Sequence, residues 1–374
     1  MCEVPASISV VALPSSPTAA VRRFLSMAAM VLPAFALAQS PPSANDGLQR
    51  DVSFTDYPAL SSNSELIHRL LSPFAAAEIQ RTLTRSQKAL TEQSVDLSQE
   101  KFVTYVPPNA PAHGYALLVF VAPWQDERLP PGWATVLDKY GVIYVSAARS
   151  GNDESPLGRR YPLALIAAHN VMHRYAVNPE HVYVGGFSGG SRIAMHLALG
   201  YPDVFRGALL NAGSDPIGDR TSPLPPKELF HQFQDSTRLV YVTGANDSLH
   251  IGMDTDSMHS MHKWCVFDLD DVVTPSTGHA VAGQAALSQA LAALLNPSQP
   301  DPDKLAKCRA AIDAELEQEL RKVESVIANG NLPQARKLLS EIDARFGGLA
   351  APRSIELTHE PPNAQPPARG SEAL

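Results

Sequence analysis

Continuous apolar runs that alternate with helix-forming segments constrain the fold of this chain more than any other feature. The runs over 116–122 and 141–147 are almost entirely apolar and are bounded by turn-forming residues, which is typical of strands buried on both faces. The segment 161–175 instead spaces its apolar residues as a helix does. Because strands and helices alternate, the sequence predicts an α/β fold with a mostly parallel central sheet flanked by helices. Predicted strands cover 102–106, 116–122, 141–147, 181–186, 205–210 and 238–243, and predicted helices cover 161–175, 190–199 and 287–295.

The composition supports a folded chain and excludes one class of partner. Hydrophobic residues make up 44% of the 374 residues, which is close to the globular average and enough for a sizeable core. The 30 basic and 38 acidic residues give a net charge of -8, and no basic cluster interrupts this modest acidic balance. Nucleic-acid binding needs such a cluster, so we expect no nucleic-acid partner.

The amino terminus has the pattern of a secretory signal peptide. Arg22 and Arg23 precede an apolar run over 24–38, which ends in the small-x-small sequence Ala36-Leu37-Ala38. A signal peptide over 1–38, cleaved near Ala38, predicts an exported protein that is periplasmic or secreted. A transmembrane anchor is the alternative, but the run is shorter than the ~20 residues that span a bilayer. We therefore expect no stable membrane span in the mature chain.

The remaining chain divides into segments of different composition. A break at Asn329-Gly330-Asn331, with Pro333 just inside the next segment, predicts a hairpin of two helices near the carboxyl end. Paired prolines and the lack of apolar residues predict disorder in the tail. The expected organisation is a linker and irregular lead-in over 39–63, helices over 64–99, an α/β domain over 100–297, the helical hairpin over 303–349 and a disordered tail over 358–374.

A Gly-x-Ser-x-Gly sequence joins a predicted strand to a predicted helix. It reads Gly186-Phe187-Ser188-Gly189-Gly190 and follows the strand over 181–186. Small residues on both sides of Ser188 allow the sharp, strained turn that lifts a serine hydroxyl above a sheet. The N–H of Gly189 and the positive end of the helix would then stabilise an oxyanion. Glycines packed at an ordinary strand–helix turn are the alternative interpretation.

A serine hydroxyl is a weak nucleophile at neutral pH, so a base and a group that orients it are needed further along the chain. Asp247 follows the strand over 238–243 and lies on a loop at the carboxyl edge of the sheet. His279 lies in a loop shortly before the last helix of the α/β domain. The order Ser188, Asp247, His279 predicts a catalytic triad. Asp247 could instead only cap the next helix, in which case Asp254 is the reserve candidate.

These motifs resemble the α/β-hydrolase superfamily and, within it, the secreted polyhydroxybutyrate depolymerase and feruloyl esterase group. The resemblance covers about 100–297. It implies an eight-stranded sheet, a serine hydrolase acting on a small-molecule or polymeric ester, and no metal or organic cofactor. The residues that carry it are Tyr105-Val106-Pro107-Pro108, the sequence from Val182 to Gly190, Tyr201-Pro202-Asp203-Val204-Phe205 and Gly278-His279.

The sequence departs from the family at the second oxyanion donor. Many members have His-Gly after the third strand, whereas this chain has Val121-Ala122-Pro123-Trp124. Proline offers no N–H. By position, the backbone N–H of Trp124 would supply the second donor beside Gly189.

Three further residues are candidates for contact with substrate. Asn152 and Arg160 lie in and after a loop that follows a strand, where they could line the cleft and bind an acidic or sugar group. A solvated helix start explains the same residues. Phe187 lies within the nucleophile motif. Trp124 could stack on an aromatic group or belong to the core.

The cysteines and a Met/His segment leave alternatives open. After signal cleavage Cys265 and Cys308 remain, and in an oxidising compartment they could pair, or remain as buried free thiols. Soft ligands on one helix face can hold copper, but an amphipathic helix with methionine toward the core gives the same string. The residues concerned are His250, Met253, Met258, His259, Met261 and His262.

The sequence therefore predicts an exported serine esterase that forms an acyl-enzyme on Ser188, with His279 as base and Asp247 orienting it. A serine peptidase would use the same residues, and nothing in the sequence separates amide from ester substrates. A non-catalytic binding protein that kept the fold is the second rival, suggested by the absent His-Gly. The added hairpin would then be a protein-contact module, for which the sequence indicates no partner.

Overall fold

The computed structural model of the protein describes residues 47–298 and 300–359. The expected signal peptide over 1–38 and the tail from residue 360 onward lie outside the described residues. The strands are β1 (Gly47–Val52), β2 (Phe102–Val106), β3 (Tyr115–Val121), β4 (Val142–Ala147), β5 (Val177–Phe187), β6 (Gly207–Asn211), β7 (Arg238–Gly244) and β8 (Leu269–Thr274).

All eight strands join one sheet in the order β1-β2-β4-β3-β5-β6-β7-β8. β2 runs antiparallel to both of its neighbours, and every pair from β4 to β8 is parallel. Val121 of β3 pairs with Gly186 of β5, and Phe187 pairs with Asn211 of β6. The carboxyl ends of the central strands therefore meet at one edge of the sheet, where ligand sites of α/β folds lie.

Helices cover both faces of the sheet. Tyr183 belongs to the apolar layer on one face and its neighbour Val184 to the layer on the other, as the strand period of two requires. This double cover is why β3 and β4 are continuous apolar runs. The helices are α1 (Asn63–Leu70), α2 (Pro73–Arg85), α3 (Trp133–Tyr140), α4 (Tyr161–Arg174), α5 (Gly189–Gly200), α6 (Lys227–Ser236), α7 (Ser248–Lys263), α8 (Gln284–Leu294), α9 (Pro302–Ala328), α10 (Leu332–Phe346) and α11 (Arg353–Leu357).

This arrangement is the α/β-hydrolase fold, and it confirms the expected fold class with its eight strands and its carboxyl-terminal hairpin. One expectation is wrong, because part of the segment 39–63 is not a linker. Residues Gly47–Val52 form β1, which pairs with β2 at the edge of the sheet. An edge strand has one neighbour and a half-exposed surface, so it lacks the continuous apolar run that marks the central strands.

The helical hairpin α9–α10 packs on the α/β core. Apolar side chains of both helices, including Val323 and Phe346, belong to the same buried cluster as the sheet and α5. A disulfide joins Cys265, just after α7, to Cys308 in α9, so the paired form of the two cysteines is the one observed. No helix within the described residues is long and apolar enough to cross a membrane.

Candidate active site

Ser188 lies at the strained turn between β5 and α5. It has a φ of 54° and a ψ of -123°, a region that residues other than glycine rarely occupy. Its N–H donates to the carbonyl of Asn211 at 2.8 Å, which fixes the turn against the end of β6. Such strain persists only where the surroundings determine it, and here it holds the hydroxyl at the carboxyl edge of the sheet.

The glycines of the motif are required by close approach of the backbone. A Cβ on Gly186 would lie 2.2 Å from the carbonyl oxygen of Gly190. A Cβ on Gly190 would lie 1.9 Å from the carbonyl oxygen of Val121, at the end of β3. Helix α5 therefore starts in direct contact with the neighbouring strand, and any larger residue would push Ser188 out of position.

Asp247 lies between β7 and α7, and its side chain is 7% exposed. It occupies the N-cap position of α7 but makes no side-chain capping hydrogen bond. Its carboxylate oxygens instead face two imidazoles, those of His250 and His279. The simple capping interpretation of Asp247 therefore does not describe this residue.

The loop that carries His279 is fastened to the loop that carries Asp247. The N–H groups of Ala245 and Asn246 donate to the carbonyls of Thr274 and Thr277 at 2.9 and 2.8 Å. A Cβ on Gly244 would lie 2.2 Å from the carbonyl oxygen of Thr277, so the two loops are in close contact. These backbone contacts set the distance between the acid and the histidine.

Asn211 connects the nucleophile turn to the same loop, and sequence reasoning did not identify it. Its buried side-chain amide donates to the carbonyl of Val242 at 2.8 Å and accepts from the N–H of Ala282 at 2.7 Å. It also donates to the carbonyl of Ala280 at 3.4 Å, next to His279. Its own carbonyl receives the N–H of Ser188, so one residue holds both partners of the reacting pair.

The structure brings Ser188, His279 and Asp247 into one hydrogen-bonded chain. His279 Nε2 lies 3.0 Å from Ser188 Oγ, and His279 Nδ1 lies 2.7 Å from Asp247 Oδ2. An ionised carboxylate only accepts hydrogen bonds, so Nδ1 carries the hydrogen and Nε2 is left to accept from the serine hydroxyl. This is the tautomer in which a histidine can take a proton from serine.

The electrostatics favour an ionised Asp247 and exclude Asp254 as its substitute. Burial alone would raise the pKa of Asp247, but the hydrogen bonds from His250 and His279 outweigh burial and lower it. Asp254 lies about two turns further along α7, where it accepts from the hydroxyls of Ser214 and Thr243. Burial raises the pKa of Asp254. Because its partners are Ser214 and Thr243, Asp254 holds the loop after β6 in place and does not orient His279.

A second histidine, His250, completes the surroundings of Asp247. Its Nδ1 lies 2.8 Å from Asp247 Oδ1, and its ring stacks on that of His279 with centroids 4.1 Å apart and planes 16° from parallel. The sequence placed His250 only in the Met/His segment. A histidine three residues after a helix-capping Asp is the signal that could have suggested this contact.

The Met/His segment does not form the copper site that was considered. Met261 is buried and Met258 packs against the core, whereas His259 and His262 are exposed. Among the described residues, Asp247, His250 and His279 are the group whose potential ligand atoms lie within 4.8 Å of one another. In this group both Nδ1 atoms face the carboxylate of Asp247, and the two imidazole rings are stacked.

Aromatic side chains form one wall beside the histidines. The half-buried ring of Phe187 lies 4.8 Å from the ring of His279, and Trp124 lies 6.3 Å from Phe187. The guanidinium of Arg128 covers the Trp124 ring at 4.1 Å. Phe187 therefore lies next to His279, and Trp124 extends the aromatic wall on the far side of Phe187.

The segments expected to supply oxyanion donors lie side by side. Gly189 begins α5, and a Cβ on it would lie 2.3 Å from the side-chain oxygen of Asn152. The N–H of Asn152 donates to the carbonyl of Pro123 at 3.1 Å, next to Trp124. Asn152 is exposed, so it borders the solvent side of this arrangement.

Arg160 does not line the cleft as a free cation, which corrects the expectation from sequence. The residue is 4% exposed, and its guanidinium donates to the carbonyls of Ser150 and Ala122 at 2.9 and 3.2 Å. Burial lowers its pKa to about 10. A π-helical turn over Pro156–Arg160 directs the side chain inward, so Arg160 joins the loops after β3 and β4 instead of meeting solvent.

A depolymerase is among the known proteins similar to this chain. The chain matches no protein-family model. A poly(3-hydroxybutyrate) depolymerase of Ralstonia pickettii is 31% identical to it over 98 residues, which are 22% of this chain and 20% of the depolymerase. The chain thus covers about a fifth of the length of that curated relative.

Solved structures with related folds include an esterase and a peptidase. An acetyl xylan esterase from Aspergillus awamori has a TM-score of 0.40 and 14% identity, covering 52% of this chain and 94% of that one. Dipeptidyl peptidase 4 of Porphyromonas gingivalis has a TM-score of 0.39 and 13% identity, covering 53% of this chain and 34% of that one. Similarity at this level leaves the activity to be argued from the site.

Proposed function

We propose that this protein is a serine hydrolase that cleaves carboxylic esters through an acyl-enzyme on Ser188. The observation that carries the proposal is the hydrogen-bonded chain from Ser188 Oγ through His279 to the buried carboxylate of Asp247. A base and an orienting acid on a strained serine are the arrangement that activates a hydroxyl for attack. The similarity to a poly(3-hydroxybutyrate) depolymerase supports an ester, small or polymeric, as the substrate.

In the first half of the reaction, Ser188 Oγ attacks the ester carbonyl carbon while its proton passes to His279 Nε2. Asp247 stabilises the imidazolium that forms and keeps its Nδ1–H directed at the carboxylate. The tetrahedral intermediate collapses when the C–O bond to the alcohol breaks. The alcohol leaves with the proton from His279, and the acyl group stays on Ser188.

In the second half, water replaces the alcohol. His279 takes a proton from the water as its oxygen attacks the acyl carbon, and the bond to Ser188 Oγ then breaks. Ser188 recovers its proton from His279 and the carboxylic acid leaves. The backbone N–H groups of Gly189 and Trp124 hold the oxyanion in both halves, and removing one such donor elsewhere costs about 100-fold or more in kcat.

Phe187, Trp124 and Asn152 are the proposed substrate-contacting residues. The two rings offer an apolar surface beside His279, and Asn152 adds an exposed amide beside Gly189. An apolar wall with few polar groups suits an acyl chain whose carbonyl is held by backbone donors.

Export from the cytoplasm is part of the proposal. The disulfide between Cys265 and Cys308 is of the kind that persists in secreted and periplasmic proteins. The signal-peptide pattern over 1–38 points to the same compartment. Expression with and without residues 1–38, followed by fractionation, checks this part, and retention of the full chain in the cytoplasm would contradict it.

The direct test is labelling of purified mature protein with a fluorophosphonate, with the modified peptide mapped by mass spectrometry. We expect an adduct on Ser188 in the wild type and none in Ser188→Ala, and we expect that variant to lose hydrolysis of p-nitrophenyl butyrate. Ser236→Ala, at an exposed serine on α6, is the matched control and should retain both. Ester hydrolysis by Ser188→Ala at the wild-type rate would disprove the proposal.

Labelling together with substrate assays separates the two rival functions, a serine peptidase and a non-catalytic binding protein. Parallel assays with peptide and ester substrates distinguish an esterase from a serine peptidase, since both would label on Ser188. A folded wild-type protein that takes up no fluorophosphonate would instead favour a binding protein that kept the hydrolase fold.

A further inference from the structure

His250 is the titratable group closest to the triad that the proposed mechanism does not use. It lies in the first turn of α7, three residues after Asp247, and its side chain is 17% exposed. Its Nδ1 faces Asp247 Oδ1 at 2.8 Å, on the opposite oxygen from His279. Because the carboxylate only accepts, His250 Nδ1 must carry the hydrogen of this bond.

We propose that His250 is a positioning residue of the triad, which orients Asp247 and holds the ring plane of His279. This inference rests on the proposed function, since it concerns the same site. Two observations carry it: the hydrogen bond to Asp247 and the stacking of the two imidazoles at 4.1 Å. The His250 side chain therefore holds the carboxylate oxygen of Asp247 that His279 does not contact.

The stacked rings fix His279 in a way that a hydrogen bond alone does not. A single bond from Nδ1 to Asp247 leaves the imidazole free to turn about the axis of that bond. His250 on one side of the ring and Phe187, 4.8 Å away, restrict that rotation. His279 Nε2 therefore stays directed at Ser188 Oγ, which the transfer of the serine proton requires.

Two variants of His250 separate its ring from its hydrogen bond. His250→Phe keeps an aromatic ring beside His279 but cannot donate to Asp247. His250→Asn places an amide N–H near the position of Nδ1 but has no ring to stack on His279. His259→Phe, at an exposed histidine on the same helix, is the matched control.

For His250→Phe, we expect kcat for p-nitrophenyl butyrate to fall by about tenfold, with KM within about twofold, since the lost bond positions the base and does not touch substrate. We expect His250→Asn to recover kcat to within about threefold, because it restores a donor to Asp247. His259→Phe should match the wild type.

The outcomes distinguish this inference from the proposed function. Wild-type protein that neither hydrolyses ester nor labels on Ser188 would remove the proposed function. Active wild type with unchanged kcat in both variants would overturn the role of His250 alone. Equal loss of kcat in both variants, with a lower melting temperature and no rescue by His250→Asn, would assign His250 to helix stability and also overturn the inference.

Discussion

Asn211 joins the turn that carries Ser188 to the loop that carries His279 at the buried end of β6. Its backbone carbonyl holds Ser188, and its side chain holds Val242, Ala280 and Ala282. Each of these groups is a backbone donor or acceptor, so the amide can be replaced only by a side chain with both functions. A buried group left without its partner costs about 1–3 kcal/mol.

Asn211→Leu should therefore lower both activity and stability. The substitution preserves side-chain size but removes the bonds to Val242 and Ala282, and the loop bearing His279 should move away from Ser188. We expect kcat/KM to fall by about tenfold or more and the free energy of unfolding to fall by about 2 kcal/mol or more. Ester kinetics and urea unfolding measure the two effects. Asn296→Leu, at an exposed asparagine, should change neither, and a fully active Asn211→Leu would contradict this role.

Asp247 and Asp254 lie about two turns of α7 apart and should respond differently to the same substitution. Asp247→Asn should lower kcat by about a thousandfold or more, because an amide no longer favours the Nδ1–H tautomer of His279. Asp254→Asn should keep kcat within a few-fold, since its partners are the hydroxyls of Ser214 and Thr243. Comparable losses in the two variants would contradict the assignment of Asp247 as the orienting acid.

The raised pKa of Asp254 also predicts how stability depends on pH. Burial makes the folded protein bind this proton more tightly than the unfolded chain, whose Asp has a pKa near ~3.9. The stabilisation from Asp254 is thus full below that value and is lost as pH rises through the folded pKa. Urea unfolding at several pH values should show that the wild type loses stability relative to Asp254→Asn as pH rises. A constant difference would contradict this.

The positions of Ser188, Asp247 and His279 could be predicted from sequence, whereas their supporting residues could not. A nucleophile motif between strand and helix, and polar residues after later strands, are local patterns that the sequence carries directly. Asn211 acts through contacts with residues up to 71 positions away, and nothing near it in sequence marks it. The inward turn of Arg160 depends likewise on where two separate loops meet.

At the scale of elements, the central strands could be predicted because helices bury both of their faces. The edge strand β1 and the helices α3 and α6 were not predicted from the sequence. β1 is half-exposed and pairs with a single neighbour. α6 follows a proline-rich stretch, and the sequence around it reads as a loop, although Phe230 and Phe233 pack its inner face into the core.

The disulfide joins the end of α7 to α9, two elements that are distant in sequence. Cys265 and Cys308 are 43 residues apart, and closing a loop of that length should stabilise the fold by about 4 kcal/mol through the entropy of the unfolded chain. Cys308→Ser should lower the free energy of unfolding by about that amount while ester hydrolysis at low temperature persists, since neither cysteine takes part in the hydrogen bonds that join Ser188, His279 and Asp247. Urea unfolding with and without dithiothreitol checks this. Reductant should bring the wild type to the level of the variant, and a variant that still responds to reductant would contradict the explanation.

At the scale of the whole molecule, the carboxyl-terminal hairpin and the amino-terminal helices close over the same face of the α/β core. Asp343 of α10 accepts from the hydroxyl of Ser72 and from the N–H of Phe74 at the start of α2. Phe346, also on α10, packs edge-on against Trp264 with centroids 5.8 Å apart. One face of each hairpin helix is therefore part of the packed interior.

Phe346→Ala tests whether the hairpin and the α/β core unfold as one unit. Phe346 is 1% exposed, and removing a buried phenylalanine costs about 3–5 kcal/mol. If the packing is continuous, the variant should unfold in a single transition with a lower midpoint, and loss of ester hydrolysis should follow the same curve. Lys337→Ala, at an exposed position on the same helix, should leave the midpoint unchanged. An early transition of helical signal alone, with hydrolysis lost only at the wild-type midpoint, would mean that the hairpin unfolds independently of the site.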